Sequence, residues 1–124
     1  MPVLTSDSCT TYEAHGSRFA SYASPAAGTS QQIAAWRCEF SAGSIGVPHR
    51  PSRDEVLLVL TGSISVRLDG EGSEVHPGGV VCVPAGAVFQ VDAGPEGATA
   101  WVTTTPGLEA TLPDGTTMSP PWAQ

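Results

Sequence analysis

The strongest constraint on the fold lies in residues 33–105, where short apolar runs alternate with turns built on glycine and proline. "AAWRCEF", residues 34–40, puts Trp36, Cys38 and Phe40 on one side and Arg37 and Glu39 on the other, the period of a half-buried strand. "EVLLVL", residues 55–60, is apolar on both faces after Glu55, which predicts a strand inside a sandwich or small barrel. In "SISVRL", Ile64, Val66 and Leu68 alternate with Ser63, Ser65 and Arg67, and the Asp69-Gly70 that follows is a hairpin signal. Thr61-Gly62, Pro77-Gly78-Gly79 and Pro84-Ala85-Gly86 read as further turns, with "VVCV", "VFQV" and "ATAWVTTT" as strands. No helical pattern exceeds one turn. Short strands at this spacing predict an antiparallel all-β barrel or double-sheet jelly roll, in one domain.

Outside that region the pattern weakens. Residues 1–32 are rich in Ser, Thr and Ala and read as an irregular arm with one or two short strands. His15 falls in this arm and reads as exposed, not as a ligand. Residues 33–105 form the barrel core, and the tail, residues 106–124, is punctuated by Pro and Gly. Trp122 is expected to anchor the tail against the barrel or a neighbouring subunit.

Charge narrows the function classes. The net charge is −7, with five arginines and no lysine. An acidic chain without a basic cluster speaks against nucleic acid or an anionic membrane as partner. The absence of lysine removes Schiff-base chemistry. No segment has the length of a membrane span, and the first residues lack the basic start and apolar run of a signal peptide. Cys9, Cys38 and Cys82 are odd in number and form no CxxC pair, which points to reduced thiols in a cytoplasm. Cys38 and Cys82 are expected to be small core side chains.

One spacing carries chemistry. Gly43 is followed after five intervening residues by His49, then Pro51; after three more intervening residues comes Glu55, and after six more Gly62. Further on, Gly78, five residues, Pro84-Ala85-Gly86, two residues and Phe89 make a second pattern. These resemble the two sequence motifs of the cupin superfamily, and "SVRLDGEGSEVHPGG" has the length and turn chemistry of the link between them. The resemblance implies a conical β-barrel of antiparallel strands, a double-stranded jelly roll that is often a homodimer. It also implies a mouth where three His and one Glu hold Fe, Mn, Zn, Ni or a similar ion. This chain keeps His49 and Glu55 but carries Pro51 and Phe89 where the family has its other two histidines.

That substitution decides the expected chemistry. Zinc or iron is held by at least three protein ligands. Here a divalent metal (Fe, Mn, Ni or Zn) would have His49 and Glu55 alone. Glu39 is the best replacement ligand, His76 sits at a hairpin corner and reads as solvated, and Gln90 has the wrong parity if Phe89 faces inward. The residues therefore favour an enzyme without a bound cofactor, acting on a small, mostly apolar organic molecule by proton transfer: isomerisation, dehydration or cyclisation. His49 is the expected general acid/base and Glu55 the group that orients it. Arg37, Pro51, Leu57, Val59, Phe89 and Trp101 are the expected substrate-binding residues. Two other readings stay open: a ligand-binding module without catalysis, and a metal-dependent dioxygenase or decarboxylase with an incomplete ligand set.

Overall fold

Alternating side chains and closely spaced turns give ten strands in a computed structural model that describes residues 3–124. β1 (Thr10–Ala14), β2 (Ser17–Ala23) and β3 (Ala34–Phe40) lead into the two-residue β4 (Arg50–Pro51). β5 (Glu55–Leu68), β6 (Glu71–Val75), β7 (Val80–Val83) and β8 (Phe89–Thr104) follow. The tail adds β9 (Ala110–Thr111), β10 (Thr117–Met118) and a 3-10 turn over Pro121–Ala123. Residues 1 and 2, the start of the expected arm, lie outside the described residues.

The larger sheet has seven strands in the order β1-β2-β3-β8-β5-β6, with β7 paired to β5 beside them; the smaller has the order β10-β9-β4. Every named pairing is antiparallel. The fold is an all-β, antiparallel jelly roll. Inside it Trp36, Cys38, Leu57, Val59, Ile64, Val66, Val83, Phe89, Ala100 and Val102 form the core. Burying such a set drives the two layers together.

Four sequence expectations need correction here. Thr61-Gly62 is not a turn, because β5 runs through it to Leu68. Gly62 instead takes a left-handed φ of 71° at an irregularity that bends the strand. "VFQV" and "ATAWVTTT" are two ends of the single strand β8, bent at Gly97 against Gly62. "EVLLVL" is buried on one face only: Glu55, Leu57 and Val59 point inward, while Val56 and Leu60 are exposed. Cys82 shares that outer face and is exposed, whereas Cys38 is buried as expected. The arm is also more regular than its composition suggests. Its hairpin, β1–β2, extends the large sheet through β3.

Candidate functional site

Inward parity brings Trp36, Cys38 and Phe40 of β3 and Glu55 and Leu57 of β5 to one cavity of about 170 Å³. Phe89 and Val91 at the start of β8 also line it, and His49 reaches it from the segment just before β4. The His49 and Phe89 backbones bridge each other, N–H to carbonyl in both directions, at 3.0 and 2.8 Å. This pairing seats the imidazole edge-on to the Phe89 ring, with centroids 5.8 Å apart. Asp92 fixes the same segment by accepting the Gly46 N–H at 2.9 Å.

The two polar groups are held in different ways. Glu55 opens β5 between Thr104 of β8 and Val83 of β7 and is only 7 % exposed. Burial pushes its carboxyl up to about 7, since a low-dielectric wall disfavours the charged form. His49 Nδ1 lies 2.9 Å from the Val47 carbonyl oxygen. A carbonyl only accepts, so Nδ1 carries the proton and Nε2 keeps the lone pair in the neutral ring. Among the described residues, no ion pair joins His49 to Glu55. The backbone of Val47, rather than Glu55, orients the imidazole. Cys38 also faces the cavity, but burial, with Glu39 and Glu55 nearby, raises its thiol far above the usual range. It is a packing group, not a nucleophile.

Of the expected site residues, His49, Glu55, Leu57 and Phe89 meet at the cavity. Pro51 and Val59 are buried in the core behind it. Arg37 and Trp101 are on the outer face of the sheet. They are register partners on β3 and β8, so both point away from the side that carries Trp36 and Val102. Arg37 lies 3.8 Å from Glu39, and Trp101 packs against Tyr22 with ring centroids 5.5 Å apart. Glu39 therefore cannot complete a ligand set. His76 is exposed, 3.7 Å from Glu74, and Gln90 donates to Asp92 rather than reaching inward.

Sequence reasoning missed the wall supplied by the segments flanking the barrel. Phe19 of β2 stacks on Trp122 with centroids 3.8 Å apart, and Leu108, Leu112 and Met118 of the tail face the same space. The signal for this was weak: Trp122 was visible as an anchor, but its partner was not. His15, as expected, is exposed, and it stands at the cavity's edge.

The donor set does not fit a tightly held cation. No group of three or more His, Cys, Asp or Glu side chains converges among the described residues. At the positions where ligands would be needed stand an aromatic ring, Phe89, and a proline.

No family model matches the chain, and no curated protein sequence does. Solved structures do. An RmlC-like cupin from Shewanella frigidimarina superposes with a TM-score of 0.73 at 18% identity, covering 84% of this chain and 89% of that one. The polyketide cyclase RemF from Streptomyces resistomycificus gives 0.74 at 18% identity, over 87% of this chain and 83% of its own. An oxalate decarboxylase from Bacillus subtilis gives 0.71 at 18% identity, over 82% of this chain but only 28% of its own. At these identities the likeness concerns architecture: the chain has the antiparallel jelly-roll fold of these cupin structures.

Proposed function

We propose that the chain is an enzyme that moves protons on a small, mostly apolar organic molecule. The observation that carries this reading is a carboxyl group titrating near neutrality and an imidazole, both facing one aromatic-walled cavity. A group whose pKa lies near the working pH is a competent acid and base. His49 Nε2 takes the proton from a carbon next to a carbonyl. The C–H electrons form a C=C bond, the carbonyl π electrons move to oxygen, and that oxygen receives the Glu55 proton. Returning a proton to a different carbon gives isomerisation; loss of a neighbouring hydroxyl as water gives dehydration. Trp36, Phe40, Leu57 and Phe89 bind the apolar body and keep water away from the enol. The likeness to a polyketide cyclase of similar length supports this reading, and the likeness to a decarboxylase is the weaker guide, since it covers only 28% of that protein's chain. Three free cysteines support a reducing compartment such as the cytoplasm, and no helix among the described residues is long and apolar enough to cross a membrane.

The test is solvent exchange on a plain enolisable ketone. In deuterated buffer, NMR is expected to show protein-dependent loss of the α-proton signals of 2-tetralone. Glu55→Gln and His49→Ala each lower the rate by about a hundred-fold, the usual worth of a positioned acid or base. Exchange no faster than buffer, or variants as fast as the parent, rejects the proposal.

A further inference from the structure

His15 is an imidazole at the cavity that the proposed proton transfer does not use, beside the smaller hydroxyls of Ser17 and Ser44. It occupies the first of the two turn positions between β1 and β2, whose strands close at the Ala14–Ser17 pair. His15 and Gly16 both have left-handed backbones, with φ of 52° and 76°. Such turns favour Asn-Gly, Asp-Gly or Gly-Gly, so histidine is a costlier choice for the backbone. The tip is tied down as well, because the Ser41 hydroxyl donates to the Gly16 carbonyl. This arrangement holds an imidazole at the edge of the cavity while leaving it open to solvent.

The sheet register locates the turn that carries this imidazole relative to Glu55. Ala34, Thr104 and Glu55 lie abreast on β3, β8 and β5. Phe40 lies abreast of Ser17, next to the turn. Six residues of β3 separate these levels, about 20 Å at the rise of an extended strand. Between them the inward side chains are Trp36, Cys38 and Phe40, which offer no charge. Along β3 the cavity wall is thus apolar between the level of Glu55 and the level of the turn that carries His15.

We infer that His15 is a substrate-binding residue that takes a neutral oxygen, hydroxyl or carbonyl, at the far end of an elongated apolar substrate whose reacting carbon lies at His49 and Glu55. This rests on reading the cavity as a site for an apolar organic molecule. A neutral oxygen fits because the neutral imidazole both donates and accepts, while Glu13 and Glu39 line the adjoining cleft and the chain carries −7. Those carboxylates outnumber the cleft's one arginine, Arg18, and disfavour an anionic head group.

Binding of ω-phenylalkanols, compared with alkylbenzenes of equal chain length, tests the inference through quenching of Trp36 and Trp122 fluorescence. Alkanol affinity is expected to pass through a maximum at one chain length. His15→Gly keeps the turn chemistry, which a matching melting temperature verifies. It is expected to weaken the best alkanol about ten-fold and leave the alkylbenzenes unchanged. Equal effects on both series, no effect on either, or affinity that rises with length whatever the head group overturns it. Ketone exchange is read separately. Failed exchange with an intact alkanol preference removes the catalytic proposal alone, and the reverse result removes this inference alone.

Discussion

Burial governs Glu55, and its consequence can be read without a substrate. The folded chain keeps this proton up to about pH 7, while a free glutamate loses it near 4.5. Between those values the folded state binds the extra proton, so its stability contribution is full below 4.5 and falls as pH rises through 7. The shift corresponds to about 3 kcal/mol. Glu55→Gln should remove that slope: urea denaturation is expected to show the variant about level with the parent at pH 4.5 and more stable by that amount at pH 8. A difference that does not change with pH contradicts the burial argument. This residue, with His49 and Phe89, was legible because motif spacing and strand parity agree at those three positions. Arg37 and Trp101 were not, since alternation separates two faces without saying which one turns inward. The larger apolar set, Trp36, Cys38 and Phe40, decided it.

At the level of elements, β5 supplies Glu55 and Leu57 and β8 supplies Phe89 and Val91, and both are single long strands bent at glycine. Gly62 has a positive φ, and a Cβ there would overlap the Gly97 carbonyl. Gly62→Ala therefore combines left-handed strain with a clash between two paired backbones, and should cost about 2–4 kcal/mol in thermal or urea unfolding. A loss under half a kilocalorie would mean that the bend does not need glycine. Short strands and their antiparallel order were readable from periodicity, as was the Asp69-Gly70 hairpin, where both residues have positive φ. The continuity of β5 and β8 was not, because a glycine with positive φ looks the same in sequence whether it ends a strand or bends one.

For the molecule as a whole, the barrel supplies His49 and Glu55 and the flanking segments supply much of the cavity wall. Trp122 is 7 % exposed, stacks on Phe19 and approaches Tyr12, which brings tail and arm together beneath the cavity. Trp122→Ala should destabilise the fold by about 3 kcal/mol, and Trp122→Phe should recover most of that, because a ring still meets Phe19. Denaturant midpoints check both. An alanine variant as stable as its parent would detach the tail from the structural account. Sequence reading found the anchor but not its function, since nothing local to "SPPWAQ" reveals a partner a hundred residues away.

The Phe19–Trp122 stack has an evolutionary corollary. That stack ties the flanking segments to the core, but Leu112 and Met118 line the cavity from outside the ladder between β5 and β8, so replacements there can reshape the space without disturbing that ladder. A scaffold built in this way can change the shape of its cavity while Glu55 and the jelly roll around it stay put.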